Sequence, residues 1–318
     1  NPGVELMCTS EDFLETNVAG IPFSGLEYSM SQIGPSPHTR ELLAYARKRG
    51  MKTHTKIQIN NTWECSAVPY IPVPFLVEEH VNAVKEAGSD GLLVSWTLGG
   101  FPGSNLELLD KTPQQLADER YGPAADKVLD AWKLFGEAFR NFPFSVMVLY
   151  HAPVNTGCAN LLYAEPTGYN GCIVNTPYDD IGRWCPPYPP DILEEQFRIM
   201  SDAWKPGLDI LDDAASSVEG EHAEAMAELN DIATATYCHF RTSYLQLAFV
   251  LHRNEHGFVL DEKTQAIIQE ELELAKTLYD ILRRDSRIGF EATNHYYYTE
   301  NDLVEKVLNC EQLLSQNV

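Results

Sequence analysis

The first 110 residues alternate short extended runs with amphipathic helical runs, and this order restricts the fold more than any other feature of the sequence. Strands are predicted at residues 4–8, 23–30, 53–60 and 91–96. Helices are predicted at 36–49, with Ser36 as the cap and Gly50 just past the end, and at about 74–87. Repeated strand-helix-strand units indicate right-handed parallel crossovers, hence an open doubly wound sheet or part of a β/α barrel. A closed barrel needs eight strands, and four are predicted.

From residue 112 onward the pattern changes to long amphipathic helices. Two apolar stripes at spacings of three and four are typical of core-facing surfaces, and they consist of Val128, Trp132, Phe135, Phe139 and Phe142, and of Leu193, Phe197, Met200, Trp204, Leu208 and Leu211. Three more helices are predicted at 221–253, 261–284 and 300–314. These runs predict a bundle of at least five helices.

The predicted fold class is therefore α/β: part of a β/α TIM-type barrel followed by an all-α helical bundle. The predicted domains are residues 1–110 and 111–318. An irregular stretch at 143–190, rich in Pro, Gly, Asn, Tyr and Cys, lies between the first two long helices. Loops of this length are usually ordered by packing or carry function, so we expect it to pack at the mouth of the sheet domain.

Composition excludes several classes of partner. Forty-six acidic residues against 23 basic ones leave a formal charge of -23, which repels nucleic acid and anionic membrane surfaces. No apolar run is long enough to cross a bilayer. Seven cysteines without a C-x-x-C pair indicate neither a zinc module nor a dense disulfide framework. The sequence contains no glycine-rich nucleotide-binding motif, and its histidines lack the spacing typical of metal ligands. No cofactor and no metal are therefore predicted.

Carboxylates lie near the ends of two predicted strands. The segments 25–32, 60–64 and 95–105 follow strands, and the carboxyl ends of adjacent parallel strands converge on one edge of a sheet. Glu27 and Glu64 are then the obvious pair for hydrolysis of a glycoside, in which one group protonates the leaving oxygen and the other attacks or activates water. A Glu at a strand end is also often solvated or bound to a neighbouring loop.

Aromatic and amide side chains near the same ends suit a sugar, since flat apolar faces bind its C–H side and amides bind its hydroxyls. The aromatic candidates are Tyr28, Trp63, Tyr70 and Trp96. The amide candidates are Gln32, Asn60, Asn61 and Asn105. Trp96 lies on an apolar strand, which favours a core position for it.

Two segments of the helical part add candidates for substrate binding. Asp179, Asp180 and Trp184 lie in the long irregular stretch, where a helix cap or an ion pair with Arg183 is the favoured alternative for the two aspartates. The second segment, 290–298, contributes Glu291, Asn294, His295 and Tyr296. An aromatic linker that pins two helices together would have the same composition.

Several motifs together resemble those of a known group of proteins. They are YSMSQIGPS at 28–36, KIQINNTWE at 56–64, AVPY at 67–70, LVSWTLGG at 93–100 and GFEATNHY at 289–296. In these motifs, and over nearly all of its length, the chain is similar to uncharacterised glycoside-hydrolase-like proteins. Members of that group have a β/α barrel distantly similar to that of hexosaminidases, followed by a helical domain.

The resemblance implies that this sheet is the second half of a barrel, with 53–60 as its seventh strand and 91–96 as its eighth. Glu64 then falls where many retaining barrel glycosidases place their nucleophile. Their acid follows the fourth strand, which this chain would lack, so the resemblance implies an enzyme that is incomplete without an upstream segment. Glu27 is the fallback partner within the chain.

These observations predict a carbohydrate-active protein, either a glycoside hydrolase or its carboxyl-terminal portion. The alternative is a noncatalytic glycan-binding or scaffolding module with the same aromatic cleft. A weaker third option is an open-sheet enzyme acting on a small polar metabolite. The expected partner is an oligosaccharide or glycan, and a periplasmic or extracellular location is favoured from that substrate class alone.

Overall fold

A computed structural model describes residues 3–25, 27–95, 103–170, 178–291 and 295–316. The elements of the first region are, in order, β1 (Leu6–Thr9), β2 (Leu14–Val18), β3 (Ile21–Gly25), α1 (Pro37–Lys48), β4 (Thr53–Ile57), α2 (Pro74–Glu86) and β5 (Gly91–Val94). Strands β1, β4 and β5 form a parallel sheet in the order β1-β4-β5. The strand predictions at 4–8, 53–60 and 91–96 are confirmed as parallel neighbours, although β4 and β5 end earlier than expected.

The strand predicted at 23–30 exists only as far as Gly25, and its expected parallel pairing is wrong. Residues 21–25 instead form β3, which pairs antiparallel with β2 in a separate hairpin. The two strands are joined by Ala19 and Gly20, whose φ angles of 53° and 77° are those of a two-residue turn with the twist that antiparallel strands need. Because this turn folds residues 21–25 back along β2, they are not available to the parallel sheet, which has three strands in the described residues.

Both helices predicted in this region are confirmed. Helix α1 begins after Ser36, whose hydroxyl accepts a hydrogen bond from the Thr39 backbone N–H at 3.1 Å. Helix α2 begins at Pro74, the position where proline is best tolerated, and ends before Gly88, which has a φ of 82°. These helices carry the chain from the end of one parallel strand to the start of the next.

The rest of the chain is mainly helical. Its elements are α3 (Pro113–Tyr121), α4 (Ala125–Phe139), α5 (Val146–His151), α6 (Ile181–Trp184), α7 (Pro190–Ala215), α8 (Glu221–His256), α9 (Glu262–Arg284), β6 (Phe290–Glu291), β7 (His295–Tyr296) and α10 (Glu300–Ser315). The five long helices predicted in this part of the sequence correspond to α4, α7, α8, α9 and α10. Within the described ranges, none of the helices is both long and apolar enough to cross a membrane.

Aromatic side chains fill the core between α4, α7 and α8. Phe135 stacks on Trp204 with ring centroids 4.3 Å apart, and Phe240 meets the same indole at 5.4 Å. Gly207 allows the close approach of α7, because a Cβ atom at this position would lie 2.3 Å from the Phe135 ring. The core is continuous with that of the sheet region, since it also includes Ile57 and Val77. The division into domains at residue 110 stays a prediction.

The buried imidazole of His239 on α8 makes stability depend on pH. Its Nδ1 lies 2.6 Å from the Val154 carbonyl oxygen and its Nε2 lies 2.8 Å from the Tyr298 hydroxyl. Burial lowers the pKa of His239 from 6.5 to about 4, while the hydrogen bond to Val154 opposes this shift. The unfolded chain therefore binds a proton below pH 6.5 that the folded protein does not bind until about pH 4.

We expect the free energy of unfolding to fall as pH is lowered from about 6.5 to about 4, with His239 contributing up to about 1.4 kcal/mol per pH unit. Urea denaturation at a series of pH values measures this slope. His239→Gln should reduce the slope, whereas His38→Gln, at an exposed position, should leave it unchanged. Equal slopes for the wild type and His239→Gln would contradict the assignment.

Candidate active site at the carboxyl edge of the sheet

The chain segments that follow β1 and β4 meet at the carboxyl edge of the parallel sheet. Glu11 and Asp12 follow β1, and the run from Asn60 to Glu64 follows β4. The backbone N–H of Ser10 donates to the Lys56 carbonyl oxygen at 3.0 Å, which continues the pairing of the two strands up to this edge. Sites of α/β proteins are commonly built at this edge, and here it holds several carboxyl groups.

Glu64 lies at the centre of a dense set of hydrogen bonds. Its side chain is 0% exposed. It accepts hydrogen bonds from the hydroxyls of Ser29, Ser31 and Thr62 at 2.7, 2.5 and 2.6 Å. The backbone N–H groups of Met30 and Ser31 add bonds of 2.7 and 3.3 Å. Burial raises the pKa of Glu64, and these donors oppose that shift because they favour the ionised form.

Glu27 is bound by groups from both regions of the chain. It accepts hydrogen bonds from the Tyr150 hydroxyl at 2.5 Å and from the Tyr28 backbone N–H at 3.1 Å. Tyr150 belongs to α5, and its ring lies 5.5 Å from that of Trp63. The start of the long irregular stretch therefore packs against the segments that carry Glu27 and Trp63.

Lys56 supplies positive charge beside these carboxylates. Its ammonium group donates to the Tyr28 hydroxyl and lies 3.8 Å from the centroid of the same ring. Burial lowers the pKa of Lys56, while the charges of Glu27, Glu11 and Asp12 raise it. Lys56 was not among the site residues predicted from the sequence.

Two amide side chains near this edge donate hydrogen bonds to the backbone of the segment that follows β4. Asn61 Nδ2 donates to the Val68 carbonyl oxygen at 2.6 Å. Asn105 Nδ2 donates to the carbonyl oxygens of Ile59 and Ile71 at 3.0 and 2.8 Å. Asn60 is buried and Gln32 is half-buried. Contacts between these side chains and a sugar remain a prediction.

The candidates near residue 180 are held by the surrounding helices. Asp179 accepts hydrogen bonds from the Thr167 backbone N–H at 3.0 Å and from Arg253 Nη1 at 2.8 Å. Asp179 therefore forms its ion pair with Arg253 of α8, whereas the sequence favoured Arg183 as the partner. Asp180 precedes α6 and is half-buried, and Trp184 is 0% exposed. These contacts fasten the irregular stretch to the helices, and a role in substrate binding stays a prediction.

The segment around β6 and β7 reaches the loop that carries Glu64. The backbone N–H of Gly289 donates to the Ala67 carbonyl oxygen at 2.8 Å. The Tyr297 hydroxyl bonds to Ser66 Oγ at 2.8 Å. Tyr297 was not among the site residues predicted from the sequence. Its neighbour Tyr296 is 60% exposed, whereas Glu291 is buried at 2%.

Three candidates cannot be placed. Trp96, Asn294 and the side chain of His295 lie outside the described residues. Among the residues that are described, no three His, Cys, Asp or Glu side chains are arranged to hold a metal ion.

Asn155 fixes the position of the Glu64 loop from the helical side. Its Oδ1 accepts hydrogen bonds from the backbone N–H and the hydroxyl of Ser66, both at 2.7 Å. Its Nδ2 donates to the carbonyl oxygens of Trp63 and Leu149 at 2.9 and 3.2 Å. The amide is 0% exposed and fully used, so it clamps both sides of Glu64 to the end of α5.

Comparison with solved structures shows a fold similar to that of a GH138 enzyme targeting pectin rhamnogalacturonan II. The TM-score is 0.53 at 11% sequence identity, over 96% of this chain and 51% of that chain. The chain thus spans about half the length of this structural neighbour. No family profile matches the sequence, and no curated protein matches it. The likeness shows a similar fold over this length, without showing a closed barrel or a particular likeness to hexosaminidases.

Asn155→Ala should destabilise the protein by about 3 kcal/mol, because it leaves the Ser66 N–H and the Trp63 carbonyl oxygen buried without their partner. Urea denaturation of the purified variant measures this change. Asn141→Ala is the matched control, since Asn141 donates to carbonyl oxygens at the end of α4 at a half-buried position, and its effect should stay within about 1 kcal/mol. Equal effects of the two substitutions would contradict the clamp.

Proposed function

We propose that this chain is a glycoside hydrolase, or the carboxyl-terminal portion of one, that hydrolyses a glycosidic bond with paired carboxyl groups. The observation that carries the proposal is the buried carboxyl group of Glu64 in the segment after β4, with Glu27 bonded to Tyr150, whose ring lies beside that of Trp63, and with Lys56 of β4 close to Glu27. The fold similarity to a carbohydrate-active enzyme supports the same class of reaction. The substrate is then an oligosaccharide or glycan, and pectin fragments are a suitable first choice because the neighbour acts on pectin.

Glu64 is proposed as the nucleophile or base, and Glu27 as its partner carboxyl group. The five hydrogen bonds to Glu64 favour its ionised form, which attack on an anomeric carbon or on a water proton requires. Its oxygens are shielded from solvent, so a donor such as Ser31 has to turn away when substrate binds. Trp63 and Tyr28 would provide apolar faces for the sugar.

The sheet is proposed to be part of a β/α barrel. In the described residues β1 and β5 each pair with β4 alone, so each has one open edge. Met7 of β1 and Leu93 of β5 are 58% and 44% exposed. Unpaired edges and exposed apolar side chains on strands are features that further strands of a barrel would cover.

A glycan-binding module without catalytic activity is the second candidate. The observation that favours it is the complete enclosure of Glu64, whose hydrogen bonds would also suit a carboxylate that only holds the loops together. Such a module would keep Trp63 and the other aromatic residues as its ligand-binding surface.

Glu64→Gln should lower kcat/KM for hydrolysis by about 100-fold to 10,000-fold, because the amide cannot attack or accept a proton. Sugar release from pectin oligosaccharides, assayed on this chain and on the complete gene product, measures the effect. Glu15→Gln, at an exposed position of β2, is the control and should retain full activity.

Calorimetric measurement of binding to the same oligosaccharides distinguishes the glycoside hydrolase from the glycan-binding module. Binding without any sugar release, retained in Glu64→Gln, would support the glycan-binding module. Release that persists unchanged in Glu64→Gln would remove this residue from the mechanism.

A further inference from the structure

Glu11 is a buried carboxyl group at the proposed site that sequence analysis passed over. It follows β1 directly, at the same sheet edge as Glu64, and is 2% exposed. Neither of its carboxyl oxygens accepts a hydrogen bond from any other residue in the described part of the chain. A buried carboxylate is normally paired or richly hydrogen-bonded, so an enclosed carboxyl without donors is stable only when it is protonated.

The neighbouring histidine does not supply a compensating charge. His80 Nε2 on α2 lies 3.4 Å from Glu11 Oε1 and 2.6 Å from Ser10 Oγ. Burial lowers the pKa of His80 to about 4, so its imidazole is neutral at neutral pH. The close contact between Glu11 and His80 is therefore not an ion pair at neutral pH. His80 supplies no positive charge that would favour the ionised form of Glu11.

Glu11 and Glu64 have opposite surroundings. Burial raises the pKa of Glu11 well above its ordinary value, and the negative charges of Glu64 and Asp12 raise it further, while a hydrogen bond from its own backbone N–H and the charge of Lys56 oppose the shift. Burial also raises the pKa of Glu64, but this carboxyl group accepts five hydrogen bonds, which oppose the shift because they favour its ionised form. When two nearby carboxyl groups have environments that separate them in this way, one holds the proton and the other holds the charge. Here the proton belongs to Glu11.

We infer that Glu11 is the proton donor of the proposed glycoside hydrolysis. This inference rests on the proposed function and replaces Glu27 in the role of the acid. Both carboxyl oxygens of Glu27 already accept hydrogen bonds, from the Tyr150 hydroxyl and the Tyr28 N–H, whereas those of Glu11 accept none from other described residues.

The step is balanced within the site. The Glu11 proton passes to the glycosidic oxygen as the bond to the anomeric carbon breaks and its electron pair moves to that oxygen. Glu64 either forms the new bond to the anomeric carbon or removes a proton from the water that attacks this carbon. Glu11 becomes a carboxylate near Lys56, whose positive charge stabilises it. In the first case a water molecule then displaces Glu64 from the anomeric carbon and gives its proton to Glu11, whereas in the second case Glu64 releases its proton to solvent and Glu11 takes one from solvent. Because Glu11 is enclosed in the ligand-free protein, its side chain has to turn toward the substrate for this transfer.

Glu11→Gln tests the role, because it removes the acidic proton with almost no change of shape. We expect kcat on pectin oligosaccharides to fall by at least about 100-fold, with activity retained on the para-nitrophenyl glycoside of the released sugar, whose leaving group needs no proton. The wild-type kcat should fall at alkaline pH, where Glu11 loses its proton, and this fall should be absent from the Glu11→Gln variant. Glu11→Asp should restore that fall and part of the rate, which a merely structural role would not do.

An independent measurement needs no substrate. The infrared difference spectrum between ligand-free wild type and Glu11→Gln at pH 7 should contain the C=O stretch of a protonated carboxylic acid, and its absence would overturn the inference. The inference would also be overturned if the wild type released sugar and Glu11→Gln released it at the same rate. A wild type that releases no sugar from any glycoside, although the infrared band is present, would instead refute the proposed hydrolysis and the catalytic role of Glu11 with it.

Discussion

The enclosure of the Glu64 carboxylate is the constraint on which the rest of the site depends. Removing an ionised carboxylate from water costs several kcal/mol unless donors replace the lost hydration. Each hydrogen bond to a charged group contributes about 1.5 to 3 kcal/mol, so the donors around Glu64 can offset that cost. Most of them come from residues 29–31, between the β2–β3 hairpin and α1. The backbone path of residues 29–31 after the hairpin therefore depends on their hydrogen bonds to the Glu64 carboxylate.

The helical region supports the same loop from the other side. Asn155 binds both Trp63 and Ser66, Tyr150 binds Glu27, and Tyr297 binds Ser66. Each of these contacts joins residues far apart in the sequence, so the geometry of the edge exists only when the helices are packed. The buried pair of Lys306 and Glu271, 2.7 Å apart, similarly joins α10 to α9. This arrangement suits a site whose side chains need fixed positions.

Charge distribution distinguishes this edge from the rest of the molecule. The chain carries a formal charge of -23, yet its sheet edge holds the ammonium of Lys56 among carboxyl groups that differ in their hydrogen bonds. Glu64 is saturated with donors and Glu11 has none from other described residues. That difference sets which carboxyl group is charged, and it follows from local packing rather than from residue type.

The sequence by itself determined the elements whose signals are local. Apolar periodicity located the long helices, capping residues located the ends of α1 and α2, and the runs at 53–60 and 91–96 indicated parallel strands. The hairpin at 14–25 was missed, although Ala19–Gly20 is a short turn, because the apolar run after it also fits a parallel strand. The position of Glu64 after a parallel strand could be predicted because it follows the run at 53–60, whereas the prediction for Glu27 depended on a strand that the parallel sheet does not contain.

Only the tertiary structure decided the environment of each side chain at that edge. Glu11, Tyr150, Asn155 and Tyr297 come from segments with no shared motif, and long-range packing brings them to the site. The sequence placed carboxyl groups at the ends of strands, while burial and hydrogen bonding, which depend on contacts between distant segments, decided which of them could hold a proton.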